Sequence, residues 1–526
     1  MKKNPNLLWV IAIVLGWSFD LLFWGTSFGI NFAIFMSLCL VTGFLLLWFD
    51  RQHPARGTLW LIPLIVLCLV VTFLRAEPMT VFLGVLFTLF LMGVLTHTFL
   101  GGRWLDYSLA DYASGFMNLI GSMIVRPILF STEVRREREE GKIPARRFNP
   151  WPILRGVLIA IPIIAIFAAL LTSADAIFND QVGSFLKLFF NLDKLPEYIF
   201  RLCYILFFAY LLAGIFLHAA SQSRDEKLIG KEKPLISRFL GFTEAAIVMG
   251  SVIVLFSAFV IVQFRYFFGG QANITIAGFT YSEYARRGFG ELLAVAFFSL
   301  LMILGLGSIT IREDKRQQTA YSWLSITIVV LVIVMLVSAY DRLVLYEKAY
   351  GFTELRTYTH VFLVWIGLLL GAVVVLEILH RERAFALAML CASLGFAITL
   401  SLLNVDAFVV KQNVALAVQG QRNLDVQYLA GLSTDEVPIL VDDFFSPSLP
   451  TGVHEAIGAT LICRHQNKSN PSTGDWRSFS FSKWNADRAI EKVLPQISNG
   501  YSFNETDSKA YTPGTKAYDC FPYSGD

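Results

Sequence analysis

Three groups of ionisable side chains, set between long apolar runs, are the residues of this chain best equipped for chemistry. The first is Thr172-Ser-Ala-Asp175, followed by Phe178-Asn-Asp180. The second is Thr280-Tyr-Ser-Glu283-Tyr-Ala-Arg286-Arg287-Gly-Phe-Gly-Glu291. Thr280 and Glu283 have capping-box spacing, so a helix is expected to start there. Along it Glu283, Arg287 and Glu291 recur every fourth residue, a single charged ladder. The third group is Tyr340-Asp341-Arg342, then Glu347, Tyr350, Gly351 and Arg356. Gly351 is placed to end one helix with a positive φ, and Thr353 to cap the next.

Arginines interleaved with acids and tyrosines permit several chemistries. The plainest is that each arginine pairs with a nearby carboxylate and locks loops together. A sharper one is a pocket for an anionic or sugar-like ligand, and a third is a docking surface for the rest of the chain. Asp175 or Asp341 serving a transferase as acid or base is the weakest. Charges in or beside apolar spans are costly and tend to mark function. Other chemistry has no sequence support. There is no phosphate loop, no dinucleotide fingerprint and no Gly-x-Ser-x-Gly elbow. His454-Glu455 lacks the second histidine of a zinc protease, so neither metal nor cofactor is expected.

The elements that must position these residues are membrane spans. Of the 526 residues 55% are hydrophobic and only 16% charged, and the net charge of +3 does not argue for nucleic acid. A span needs about 20 mostly apolar residues. Stretches near 7–24, 28–49, 58–74, 79–99, 152–172, 197–220, 242–264, 288–311, 320–340, 358–379 and 384–403 qualify, about eleven. Asp20 makes the first the weakest. Residues 104–131 carry Leu105, Leu109, Tyr112, Phe116 and Leu119 at helical spacing with acids between, which reads as an amphipathic helix in the interface plane.

Lys and Arg are about twice as frequent in one set of loops as in the other, which favours a cytoplasmic N-terminus. The run Arg135 to Arg147 belongs to that set and reads as a solvated loop. An odd span count then places residues 404–526 outside, with the three patterned groups. That tail has ordinary soluble composition and reads as a small α-helical domain. Asn404 is expected to cap a helix through Val418, and Ser433-Thr-Asp-Glu436 to form a capping box. Residues 498–526 read as a loosely ordered end. Cys463 and Cys520, alone in this region, are candidates for a disulfide.

The runs Tyr281 to Leu292 and Arg342 to Arg356 resemble bacterial membrane proteins grouped as domain of unknown function 4173, and the neighbouring group 4153 is similar. Asn404-Val-Asp406, Asp425 to Leu429 and Leu432 to Pro438 extend the resemblance to about residue 440, from about the fifth span onward. It implies a bacterial cytoplasmic membrane protein and brings no activity with it.

The expectation is thus an all-α polytopic bundle over 1–403 with a small soluble α-helical domain over 404–526. The favoured role is a non-enzymatic envelope scaffold or sensor whose outer face binds a protein partner or an anionic ligand. A transporter or ligand-binding membrane protein is the alternative, and an outer-leaflet transferase the weaker one.

Overall fold

A computed structural model describes residues 5–140, 194–224, 238–267, 289–467 and 475–520, with a few isolated positions between them. Asp175, Glu283, Arg286 and Arg287 lie outside the described residues, as does nearly all of the span expected near 152–172.

The described helices are α1 (Pro5–Phe23), α2 (Ile30–Phe49), α3 (Arg56–Leu59), α4 (Leu61–Leu74), α5 (Pro78–His97) and α6 (Leu109–Glu139). Next come α7 (Leu195–Ser221), α8 (Phe242–Phe267), α9 (Phe289–Ile309), α10 (Lys315–Tyr350), α11 (Glu354–Ile378) and α12 (Phe385–Leu403). The C-terminal region holds α13 (Val405–Val418), α14 (Val426–Gly431), α15 (Val437–Phe444), α16 (Thr451–Asn467) and α17 (Phe481–Ile497). Among the described residues, eleven helices are long and apolar enough to cross a membrane, α3 and α4 counting as one. The tally equals that of the sequence reading, but it counts α6 and does not take in residues 152–172, nearly all of which lie outside the described residues. Its helix continues past Arg126 to Glu139, and it has the length and apolar content of a crossing helix.

The chain divides into two compact units. In the first, residues 1–26, 35–53 and 117–223, α1 packs along α7. Lipid tails are as apolar as leucine, so helix association here relies on close packing of small residues. Ala12 on α1 meets Ala209 and Ala213 on α7, all nearly inaccessible. A side chain at Gly16 would run into the backbone of Ile205. Asp20, 2% exposed, is answered by Arg201, whose Nε and Nη2 reach its two oxygens at 3.0 and 2.5 Å. The guanidinium also lies over Trp24, 5.2 Å from the ring centre. In this unit α6 meets α7 through Ser122, which bonds Gln222 and His218.

The second unit comprises residues 27–34, 54–116 and 224–526. One apolar cluster joins α8, α9, α10 and α11, with Tyr321, Ile328 and Leu370 among its fully buried members. Another runs from α5 and α12 into the whole C-terminal region: Leu83, Ala397 and Leu400 share it with Val409, Leu440, Ile457 and Val493. Each fully buried aliphatic side chain contributes about 1.5–3 kcal/mol. The C-terminal region is therefore seated on span ends of its own unit through a common core.

Two local expectations need correction. The end of the chain is ordered through residue 520. The strands β1 (Ser502–Asn504), β2 (Lys509–Tyr511) and β3 (Ala517–Asp519) form an antiparallel meander, with Phe503 opposite Ala510 and Ala510 opposite Tyr518. Ala510 is fully buried there, and Cys520 is joined to Cys463 on α16, so a packed face and a covalent tie outweigh the polar composition. Asn404 also makes no side-chain cap. It sits in the left-handed region (φ 53°) and turns α12 directly into α13, a conformation asparagine tolerates better than most residues.

Candidate functional site

The third patterned group closes on itself. Gly351 has φ 78° and ψ 172°, a region essentially reserved for glycine, and it stops α10. A Cβ there would stand 2.7 Å from Asn413 Oδ1, so the turn is closed sterically as well. Asn413 clamps the turn from α13, accepting from Phe352 N and donating to Phe352 O, both at 2.8 Å. Thr353 Oγ1 caps α11 by accepting from Arg356 N. The Arg356 side chain donates to the last carbonyls of α10, Gly351 O and Tyr350 O, while its guanidinium covers Tyr346 at 4.3 Å. Tyr350 is exposed and rests on Tyr346.

The other members are used locally too. Glu347, 1% exposed, accepts from His360 of α11 at 3.1 Å. Arg342 donates to Gln263 of α8. Asp341 is half-buried, and Glu291 is exposed in the first turn of α9. Among the described residues, these side chains are engaged separately and line none of the cavities described below.

A different set converges. Arg75, Glu77, Glu354, Asp406, Asp435, Glu436 and Arg464 meet where α4, α5, α11 and α12 reach the C-terminal region. Pro78 starts α5 and leaves Glu77 as its cap; the carboxylate accepts Met79 N and Thr80 N, both at 2.7 Å, and the hydroxyls of Thr80 and Tyr358. Asp435 in turn accepts the backbone N–H groups of Ala76 (2.8 Å) and Glu77 (3.0 Å). Arg75 binds Ser401 O at 2.9 Å and lies 3.9 Å from Asp435.

Asp406 and Glu436 show why the expected capping box does not form. Asp406 Oδ2 accepts Ser433 N at 2.8 Å, taking the donor that Glu436 would need to reach back to. Glu436 instead faces Arg464, which donates through Nε at 2.8 Å and Nη2 at 2.7 Å and also binds the carbonyls of Leu432 and Ser433. Both carboxyls are fully buried, and each keeps one oxygen, Asp406 Oδ1 and Glu436 Oε2, that meets no N–H or hydroxyl donor. The carboxyl of Glu354 lies near enough to Asp406 for the two to interact.

The electrostatics agree. Five carboxyl groups share this junction with two guanidiniums. Burial raises the pKa of Asp406, opposed by its bonds from Ser433 and the contact with Glu354, and the charge of Glu77 adds to the rise. Burial pushes Glu436 up to about 8 against the pull of Arg464. Tyr428, whose hydroxyl accepts Glu354 N at 3.0 Å, is pushed up to about 12 by burial. Burial thus favours the protonated form at Asp406 and Glu436; among the described residues no group of three or more His, Cys, Asp or Glu is arranged to hold a metal.

An open cavity of about 440 Å³ adjoins the network, shares Arg75 and Asp435 with it and is also lined by Asn404. Asp442, Ser482 and Asn485 add polar groups, and Phe481 an aromatic wall. Its size falls in the range of about 300–1,000 Å³ common to ligand sites.

None of the converging residues was singled out as a site from sequence. Glu77-Pro78 ahead of an apolar run signals a helix start and no more. Asp406, Asp435 and Glu436 stand in segments that carry the family resemblance, which was the available signal. Asp435 bonds Ala76 and Glu77 at separations of 359 and 358 positions, and even Asp406 and Glu436 find Ser433 and Arg464 at separations of 27 and 28, beyond any spacing rule.

The fold and these contacts define a multi-pass α-helical membrane protein with a C-terminal region built onto its span ends. Within that class the chain belongs to the family described as Domain of unknown function (DUF4153), whose match covers residues 61–442. Of the two groups its motifs resemble, this is the second, and the match begins before α4 ends, well ahead of the fifth span. It takes in every acid of the buried network and leaves Arg464 outside. No curated protein and no solved structure matches the chain.

Proposed function

We propose that this protein is a non-enzymatic scaffold or sensor of a bacterial cytoplasmic membrane, with its N-terminus inside and its C-terminal region outside. One observation carries the reading: a buried hydrogen-bonded network ties the first turns of α5, α11 and α13 to Tyr428, Ser433–Glu436 and Arg464. Whatever binds the C-terminal region bears directly on span ends, with no flexible linker between. The adjoining polar cavity is the place for an anionic or sugar-like ligand, and the exposed Trp476 and Trp484 suit a bilayer interface or a protein partner. The amphipathic helix belongs in the interface plane. In support, its residues Arg126 to Glu133 line one cavity with the start of α1 and the ends of α2 and α7, all at one end of their unit.

The transporter reading gains less support, since the acids of the network gather at one end of their unit. Hydrogen exchange on the full-length protein in nanodiscs tests the proposal. Asp406→Ala is expected to speed exchange in Thr434–Phe444 and also in the first turns of α5 and α11. Faster exchange confined to the C-terminal region would show that the two are not coupled. A C-terminal phosphatase fusion, expected to be active where a fluorescent-protein fusion is dark, tests the orientation.

A further inference from the structure

The first unit contains a second cavity, of about 480 Å³, built where α1 starts and where α2 and α7 end. Residues 126–133 of α6 form one of its walls, and leucines from α1, α2, α6 and α7 supply apolar surface. Trp48 and Phe49, 60% and 66% exposed at the end of α2, mark this level as the membrane–water interface. The polar lining is specific. Arg51 and Arg126 supply two guanidiniums, Asp50 and Glu133 two carboxylates, and Gln52 an amide oxygen that is buried without a donor. Gln52 is held in place by its Nε2, which binds Ala220 O at 3.0 Å.

Arg51 is placed at a conformational cost. It occupies the left-handed position (φ 59°) that ends α2, with Arg51 N bonded to Trp48 O and Gln52 N to Leu47 O. Glycine is the residue that this helix ending favours. A cation near a helix C-terminus gains something from the helix dipole. The same placement also directs a guanidinium to the cavity rim.

We infer that this cavity binds the headgroup of a zwitterionic phospholipid bearing a primary ammonium, phosphatidylethanolamine. Arg51 and Arg126 take the phosphate, in charge-assisted bonds. Asp50, Glu133 and Gln52 Oε1 accept from the ammonium, and the leucines meet the first acyl carbons. Among the described residues the lining carries two positive and two negative side chains, a balance that favours a zwitterion over an anionic lipid. Acceptors facing the ammonium favour three N–H donors over a quaternary amine, which has none.

The test is native mass spectrometry of the full-length protein released from nanodiscs holding equal amounts of phosphatidylethanolamine, phosphatidylglycerol and phosphatidylcholine. One tightly held phosphatidylethanolamine per chain is expected. Arg126→Gln should weaken its retention about tenfold, the scale of a lost charge-assisted bond. Arg51→Gly should weaken it similarly while leaving the thermal midpoint unchanged or higher, because glycine relieves the left-handed turn. A purely structural Arg51 would lower the midpoint and leave the lipid count unchanged. Equal retention of the three lipids, preference for phosphatidylglycerol, or unchanged retention in both variants overturns the inference. So does displacement by soluble glycerophosphoethanolamine at the concentration of the lipid, which would make the ligand a soluble one.

Discussion

Asp406 on α13 accepts the backbone N–H of Ser433 at 2.8 Å, joining the helix that leaves the last span to the segment that carries Asp435 and Glu436. That one bond redirects two side chains. Ser433 N is no longer open to Glu436, which turns to Arg464, and Asp435 is left to hold Ala76 and Glu77 at the start of α5. A local capping pattern has become the joint between spans and C-terminal region.

Substitutions at Asp406 separate the hydrogen bond from the charge. Asp406→Asn keeps an acceptor for Ser433 and offers Glu354 an N–H, so the thermal midpoint of the detergent-solubilised protein should hold or rise. Asp406→Ala leaves the Ser433 N–H without its acceptor and should cost about 1–3 kcal/mol. Equal losses for the two would show that the charge itself is required.

The spans were legible because a helix in lipid must be apolar for its whole length, and that is a property of consecutive residues. Gly351 and Thr353 were legible for a similar reason, since a helix stop and a cap are decided within a few positions. The acid network was not. Tyr358 meets Glu77 and Arg464 meets Glu436 across distances that no period or motif spans. The patterned arginines point the other way: Arg356 and Arg342 looked like a site because their chemistry is visible in sequence, while the carbonyls and the amide that occupy them are not. The sheet at residues 502–519 escaped because its burial rests on Cys463 and α16, outside the segment.

Stability should fall as pH rises. Glu436 holds its proton in the folded protein to about pH 8, whereas in the unfolded chain it ionises in the ordinary carboxylate range. Its contribution is therefore full below that range and is lost progressively up to about pH 8. Asp406, raised by burial, acts in the same direction. Thermal midpoints measured between pH 5 and 8.5 should decline, and Glu436→Gln should flatten the decline while leaving an acceptor for Arg464. A profile that rises with pH and is unchanged by Glu436→Gln contradicts this account.

Gly351→Ala should be among the more damaging small substitutions in the chain. The backbone there costs a residue with a side chain about 1–3 kcal/mol. The added Cβ also pushes on Asn413, which holds both polar groups of Phe352. Asn413→Ala combined with Gly351→Ala should lose less than the sum of the two single changes, as read from urea or thermal unfolding.

Cys463 and Cys520 close a loop of 57 residues containing α17 and the sheet. Losing such a crosslink costs about 2–5 kcal/mol in small domains, where it constrains the unfolded chain. Replacing both cysteines with serine should lower the midpoint and open residues 502–520 to protease, with α1–α12 unaffected. Reduction of the wild type should reproduce the pattern.

Asp20 is 2% exposed within a span, and Arg201 meets both of its oxygens. Removing one partner of a buried pair leaves an uncompensated charge, a loss of about 3–5 kcal/mol. Arg201→Ala should therefore sharply reduce the folded yield in membranes. Asp20→Asn removes the charge but also an acceptor, and should cost less. The double change Asp20→Asn with Arg201→Gln replaces the ions by two amides able to bond each other, and it should recover most of what Arg201→Ala loses. If instead the double variant folds no better than Arg201→Ala, the arginine is needed for more than Asp20. Its place over Trp24 would then be the contact to examine, with Trp24→Leu separating the ring from the charge.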